Sequence, residues 1–363
     1  MPEKLRTPLY EEHLRLAARM VPFAGWEMPL LYRGIIPEHL HTREKVSIFD
    51  ICHMGEFEVS GPSAEADLEK LLTQSVAAIA EGACAYGYLL AEDGGTLDDL
   101  ICYRFGGGKF WLVVNAATAA ADAVWIKSRL SPTTVFSDLS AATAKLDIQG
   151  PGAREAVESA LGRKLPDLEY FHFCAIEIAG AAGLLSRTGY TGEFGYELYF
   201  PADRAAAFWK KLIAPGVILP AGLGARDTLR VEMGFSLYGH ELSRKTTPAG
   251  AARGRFIDLN KNFTGKEAVL RDLENPAAGK LVGLRLEGRM AARADDLILE
   301  DGREAGKVTS GLFSPSLNVA VALGYVRRPA AVIGRKLDII ARGRKLQAEI
   351  VKLPFYKEGT ARR

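Results

Sequence analysis

A long internal echo constrains this chain more than any other feature. Phe57-Glu58-Val59-Ser60-Gly61-Pro62-Ser63-Ala64 is answered by Leu146-Asp147-Ile148-Gln149-Gly150-Pro151-Gly152-Ala153. Each stretch reads as an alternating strand, a Gly-Pro break and a helical pattern, carried by Leu68, Leu71 and Leu72 in one copy and Ala156, Val157, Ala160 and Leu161 in the other. Each is followed by a glycine-rich hairpin with an acid just after the turn: Gly94-Gly95-Thr96-Leu97-Asp98-Asp99, then Gly189-Tyr190-Thr191-Gly192-Glu193. A strand and a helix close each copy, Phe110–Val114 into 117–130 and Tyr196–Phe200 into 202–213. The copies lie roughly 90 residues apart and number only two, which excludes a solenoid. Duplicated α+β layers with antiparallel hairpins fit instead. Two such units packed about a pseudo-twofold bring their acids toward one shared cavity, and the chemistry is expected there.

The rest of the chain narrows the class. Its 363 residues predict two or three domains, and 48% hydrophobic with 25% charged residues is ordinary for a globular protein. A formal net charge of +2 argues against a dominant nucleic-acid or membrane surface. No uninterrupted apolar run approaches the roughly 18 residues of a membrane span. Met1-Pro2-Glu3-Lys4-Leu5-Arg6 has neither a signal core nor transit character, so the expected setting is cytoplasmic. Cys52, Cys84, Cys102 and Cys174 form no C-x-x-C pair and have no His at metal-finger spacing, so reduced, mostly buried thiols and no metal are expected.

Along the chain, residues 7–20 read as a helix with apolar positions Leu14, Leu16, Ala17 and Met20, followed by an irregular stretch from Pro22 to Pro29. A second short helix is predicted over 36–46, and a third over 221–233 behind Gly222 and Gly224. Asn275-Pro276-Ala277-Ala278-Gly279 is the clearest linker. Beyond it, short alternating strands with turns at 301–302, 314–315 and 342–343 predict a small all-β domain.

Two motifs carry no cofactor. Phe105-Gly106-Gly107-Gly108-Lys109-Phe110 lacks phosphate-loop spacing and sits between strands, so it reads as a hairpin turn. Gly222-Leu223-Gly224 lacks the third glycine and the acid of a dinucleotide fingerprint. Asp98-Asp99 is more informative. Two adjacent carboxylates in an apolar strand point to opposite faces, so one must meet a buried layer. Periodicity leaves open which one, and a turn-capping role for an Asp remains an alternative. Glu193 follows two glycines that let a ligand approach the backbone, with Tyr190 and Tyr196 as stacking surfaces; an exposed hairpin Glu is the competing reading. Arg226, Asp227 and Arg230 form either an ion-pair face or, through Arg226, a fork for a ligand carboxylate. His53 beside Cys52 points away from it in an extended segment, and is read as structural rather than as half of a dyad.

These stretches together resemble the aminomethyltransferase (T-protein) family of the glycine cleavage system. The matching segments include Arg6-Thr7-Pro8-Leu9-Tyr10, Met20 through Pro29, Phe49-Asp50-Ile51-Cys52-His53-Met54-Gly55-Glu56 and Gly94 through Leu100. They continue with Val113-Val114-Asn115-Ala116, Arg187 through Glu193, Ala221 through Asp227, Leu237-Tyr238-Gly239, Ser314-Pro315-Ser316-Leu317 and Pro354-Phe355-Tyr356.

The resemblance implies an α+β, three-domain cloverleaf around a central folate cavity: two duplicated antiparallel units and a C-terminal β-barrel or jelly-roll-like domain. The expected division is 1–50 with 138–240, 51–137 with 241–275, and 276–363. It also implies a reaction in which tetrahydrofolate accepts the one-carbon unit from the aminomethyl-lipoyl arm of H-protein, with release of ammonia. Tetrahydrofolate enters as a co-substrate, and no metal or nucleotide is required. By the same carry-over Asp99 is catalytic, Glu193 and Arg226 bind folate, and Tyr86, Asn115, Tyr190 and Tyr238 line the cavity. The chain departs from the family pattern at Cys52, usually Ser, at Asn318-Val319-Ala320-Val321, and most at Ala249-Gly250-Ala251-Ala252-Arg253-Gly254-Arg255. That last segment is expected to edge the cavity or dock the partner. It is the feature that favours a second reading, a tetrahydrofolate-dependent demethylase of a small methylated compound; a third, a non-enzymatic folate-binding protein, is expected to lose the acid after the Gly-Gly turn, whereas Asp99 is present.

Overall fold

The computed structural model describes residues 4–251, 256–275 and 279–362. At its start, β1 (Leu5–Arg6) and α1 (Tyr10–Arg15) precede a hairpin of β2 (Arg19–Phe23) and β3 (Trp26–Leu31). The helix expected over 7–20 therefore ends at residue 15. Ala17 has φ of 54°, a left-handed conformation that no helix continues through. The Pro/Gly stretch expected to be irregular is the hairpin itself, turned by Ala24 and Gly25 at positive φ. Pro29, opposite Met20, lies beside a register shift at Arg19/Met20. Then come α2 (Ile35–Glu44) and β4 (Ser47–Asp50).

The echo in sequence is an echo in topology. The first copy runs β5 (Gly55–Ser60), α3 (Ala64–Leu71), β6 (Cys84–Leu90), β7 (Thr96–Gly106), β8 (Lys109–Val114) and α4 (Ala119–Lys127), followed by β9 (Val135–Asp138). The second runs β10 (Thr143–Gln149), α5 (Ala153–Leu161), β11 (Phe173–Ile178), β12 (Ala181–Ser186), β13 (Gly195–Pro201) and α6 (Ala205–Ile213), followed by β14 (Leu219–Pro220). Their sheets share one strand order, β6-β7-β8-β5-β9 against β11-β12-β13-β10-β4-β14. In both, the outer face is apolar and covered by helices. Phe57, Val59, Leu112 and Val114 pack with Leu68, Leu71 and Ile126 in one. Leu146, Ile148, Leu198 and Phe200 pack with Val157, Phe208 and Trp209 in the other. Each fully buried side chain of this kind contributes roughly 1.5–3 kcal/mol.

The repeated Gly-Pro break has a backbone reason. Gly61 and Gly150 have φ of 126° and 135°, and a Cβ there would lie 2.3 Å from the Thr133 carbonyl oxygen and 2.2 Å from that of Lys45. Only glycine fits either position.

Paired registers correct one expectation. Lys109 opposes Ser60 as Gly195 opposes Gln149, and Ile101 opposes Val113 as Leu184 opposes Tyr199. Counted this way, Asp99 corresponds to Ala182. Glu193 lies in the loop 187–194, whose counterpart in the first copy is the tight turn at Gly107-Gly108. The two acids thus follow different turns of the unit and are not equivalents. Equivalent positions do meet at the seam, where Tyr103 and Ser186 hydroxyls lie 3.0 Å apart and Val113 and Tyr199 share one apolar cluster.

The remaining elements are α7 (Leu223–Glu232), α8 (Lys266–Glu274) and a barrel of β15 (Gly279–Leu286), β16 (Leu297–Glu300), β17 (Arg303–Ser314), β18 (Val319–Arg327), β19 (Lys336–Ala341) and β20 (Arg344–Val351). The barrel closes in the order β15-β18-β17-β16-β19-β20, which leaves no open sheet edge. It packs on the rest through Val231, Leu281, Leu312, Leu323 and Phe355. The fold is α+β, with three units arranged around one cavity, as the resemblance implies. Among the described residues no helix is long and apolar enough to cross a membrane.

Candidate functional site

A cavity of about 1870 Å³ lies where the two sheets, α7 and the barrel converge. Strand alternation along β7 decides the question left open by periodicity: Asp98 turns into the protein and Asp99 faces the cavity. Asp98 is fully buried and accepts bonds from the Asn115 backbone N–H at 2.9 Å and side-chain Nδ2 at 2.8 Å. Burial, with Asp122 of α4 beside it, holds Asp98 well above the carboxylate range, and burial pushes Asp122 up to about 7.

Asp99 is held on both oxygens. Tyr86 donates its hydroxyl to Oδ2 at 2.8 Å, and Asn115 Nδ2 donates to Oδ1 at 3.0 Å. These bonds favour the charged form, yet burial and then the neighbouring Asp98 outweigh them and push Asp99 up to about 7. A carboxyl balanced between its two forms near neutrality can both accept and return a proton. Tyr86 is itself fixed edge-on to Phe256 and Tyr88, with ring centroids 4.7 and 5.4 Å away.

The opposite wall is built from the inner faces of β10 and β13. Lys145 opposes Tyr199 and Asp147 opposes Glu197, so four polar side chains share one face while Leu146, Ile148, Leu198 and Phe200 take the other. Arg226 of α7 reaches this wall, donating to Asp147 Oδ2 at 2.5 Å, and its guanidinium lies 4.9 Å from the Tyr190 ring centre. Despite that ion pair, burial and the nearby Glu197 outweigh Arg226 and raise Asp147 to about 6. Burial raises Glu197 too, but Lys145, the Thr188 hydroxyl and Arg226 overcome it, and its carboxyl titrates below the usual range. Tyr190 is fixed by its hydroxyl on the Ser236 carbonyl and by stacking on Phe235 at 5.7 Å.

Of the residues singled out in the sequence, Asp99, Tyr86, Asn115, Tyr190, Arg226 and Tyr238 line this one cavity. Glu193 does not. Its carboxylate is turned toward α2 and the C-terminal tail, where Oε1 accepts from Arg43 Nη1 at 2.8 Å and Oε2 from the Thr360 hydroxyl at 2.6 Å. The acid presented to the cavity from this stretch is Glu197, four residues on, where the β13 pleat points it inward. Its signal was the alternation of Tyr196, Leu198 and Phe200, which leaves residue 197 on the opposite face. Lys145 was missed in the same way: charged residues alternating with apolar ones read as solvent-facing, but here that face is covered by the other unit.

Cys52 and His53 form no dyad. The Cys52 thiol donates to the Lys145 carbonyl at 3.3 Å, while His53 lines the cavity with its pKa lowered by burial to about 4. Cys52, Cys84 and Cys102 are buried, and Cys174 is partly so. The Gly106-Gly107-Gly108 stretch closes the β7–β8 hairpin. Of the unusual segment 249–255, Ala249 and Ala251 are buried against Tyr88 and Leu90, and Ala251 edges the cavity. Residues 252–255, with both arginines, lie outside the described residues, as do 276–278 of the linker.

Comparison with known proteins agrees with this architecture. A family model described as the GCVT N-terminal domain matches residues 9–261, and one described as the glycine cleavage T-protein C-terminal barrel domain matches 280–357. The aminomethyltransferase of Desulforamulus reducens is 41% identical over 361 residues, covering 98% of this chain and 99% of that protein. That of Symbiobacterium thermophilum is 42% identical over 364 residues, covering 97% of each. The crystal structure of glycine cleavage system aminomethyltransferase T from Bartonella henselae superposes with a TM-score of 0.93 at 35% identity, covering 99% of both chains. The chain belongs to the glycine cleavage T-protein family, the aminomethyltransferases.

Proposed function

We propose that this chain transfers the one-carbon unit from the aminomethyl-lipoyl arm of H-protein to tetrahydrofolate in the cytoplasm, releasing ammonia and forming 5,10-methylenetetrahydrofolate. Asp99 carries this reading: a cavity-facing carboxyl, raised to about 7, fixed by Tyr86 and Asn115. In the reaction two C–N bonds form to folate nitrogens while the C–S and C–NH₂ bonds of the donor break. Two N–H protons must leave the folate, and they finish on ammonia and on the lipoyl sulfur. Asp99 takes up a proton as nitrogen attacks carbon, and its charged form steadies the iminium that develops.

In this reading Glu197 rather than Glu193 is the acid that accepts from the amino-substituted ring of the folate. Tyr190 supplies a flat neighbour, Arg226 a cation, and Tyr238 part of the enclosure. The domain division proposed with it is 1–50 with 138–240, 51–137 with 241–275, and 276–363. It is supported by the packing of Leu242, Ile257, Phe263 and Val269 onto Tyr88 and Leu90 of the first copy.

The test is to incubate the protein with tetrahydrofolate and aminomethyl-loaded H-protein and to measure methylenetetrahydrofolate. Product that requires both substrates is expected; none with either donor protein or folate in excess would overturn the assignment.

A further inference from the structure

Lys145 is a cation the reaction above does not use. Its side chain is 1% exposed, and among the described contacts its ammonium has one carboxylate partner, Glu197 Oε1, in a loose ion pair at 3.6 Å that is longer than a hydrogen bond, with Met54 Sδ also 3.6 Å away. Asp147, the acid nearest along its own strand face, is committed to Arg226 at 2.5 Å. The Tyr199 ring, 5.0 Å off, offers a cation–π contact but no lone pair to accept a proton. An ammonium has three donors, and burying them with so few acceptors is costly. Lys145 nonetheless lines the cavity.

Glu197 beside it is half engaged in the complementary sense. Its Oε2 accepts from the Thr188 hydroxyl at 2.7 Å and the Tyr199 hydroxyl at 3.3 Å. The approach to Oε1 is that of Lys145 alone among the described contacts, and it is longer than a hydrogen bond. The wall therefore presents one donor and one acceptor side by side, each with capacity left over, at a spacing that suits two adjacent hydrogen bonds to one planar group.

We propose that Lys145 and Glu197 together read the lactam edge of the bound ring, Lys145 donating to its carbonyl oxygen while Glu197 accepts from the adjacent ring N–H and amino group. This rests on the folate reading above, since the pterin of tetrahydrofolate carries such an edge. Lys145 then sets specificity: it favours a ring with an oxygen at that position and disfavours one with an amino group, whose N–H would face the ammonium.

The experiment compares tetrahydrofolate with its 4-amino-4-deoxy analogue, in which that carbonyl is replaced by an amino group. Dissociation constants are measured by calorimetry for the wild type, Lys145→Met and Lys145→Arg. The wild type is expected to prefer the oxo form at least tenfold. Lys145→Met, which keeps the aliphatic stem, should narrow the preference at least threefold, chiefly by weakening the oxo form, with the remainder due to Glu197 because the analogue also lacks the ring N–H; Lys145→Arg should keep the preference. An unchanged preference in a folded Lys145→Met protein that still binds tetrahydrofolate overturns the role of Lys145 and leaves the folate reading standing. Absence of binding of either ligand to the wild type overturns both.

Discussion

Asp99 and Glu56 have both been moved far from ordinary carboxyl behaviour by burial, and the consequences differ with what each one faces. Asp99 faces the cavity, and burial holds it near neutrality where proton transfer is efficient. Asp99→Asn keeps the shape and both hydrogen-bonding neighbours but removes the basic form. Turnover is expected to fall by roughly 10²–10⁴-fold, with folate affinity changed less than about threefold, as read by product assay and calorimetry. In the wild type, turnover should decline as the pH drops through about 7. Among the described residues the Glu56 carboxyl has no hydrogen-bond partner: both of its oxygens are buried without one, and burial pushes it up to about 8. Because its folded pKa lies above the unfolded value, the folded state binds more protons between about 4.5 and 8, and stability falls as the pH rises through that window. Glu56→Gln should therefore raise the thermal midpoint at pH 8 and leave it nearly unchanged at pH 4, which paired melting curves would check.

At the scale of elements, the duplicated strand–Gly-Pro–helix unit was legible because alternation and a positive-φ glycine leave local marks. Gly61 and Gly150 are held at the same place in each copy by carbonyls little more than 2 Å from where a Cβ would sit. Gly61→Ala and Gly150→Ala should each cost on the order of 2 kcal/mol or more, seen as a lowered thermal midpoint, whereas Gly107→Ala, with nothing within 4 Å, should cost less despite its φ of 59°. The β2–β3 hairpin was not legible. Its strands are held by pairing with each other and with β1, while Pro22 and Pro29 remove the local signal for strand. The equivalence of the two acids also failed at this scale, since both follow glycine turns but one is the β6–β7 turn of its copy and the other the β12–β13 loop.

At the scale of the whole molecule, buried acids tie the units together. Glu232 of α7 accepts from Arg43 Nη2 at 2.8 Å, and from the Ser314 and Ser316 hydroxyls at 2.5 and 2.8 Å, so it joins α2, α7 and the barrel. Burial opposes its charge, but His39, Arg43 and Ser314 hold its pKa down to about 2. A depressed folded pKa means stabilisation that is complete above the unfolded value and lost as the pH falls from about 4.5 toward 2. Glu232→Ala leaves Arg43 with Glu193 as its remaining carboxylate and takes the acceptor from the Ser314 and Ser316 hydroxyls, and is expected to cost about 3 kcal/mol at pH 7, with the deficit relative to wild type shrinking below pH 4 in denaturation experiments. The sequence alone was enough for the duplication, the all-β C-terminal unit, and Asp99, Tyr86, Asn115, Tyr190, Arg226 and Tyr238 as site candidates, because strand alternation, glycine turns and ordered motif matches are written residue by residue. Which face of each strand looks into the cavity depended on the packing of one unit against the other. That packing turned Glu193 to Arg43 and the C-terminal tail, and it enclosed Lys145 and Glu197 on a face whose polar pattern would otherwise meet water. Alternation specifies that two faces differ; only the tertiary structure decides what covers each of them.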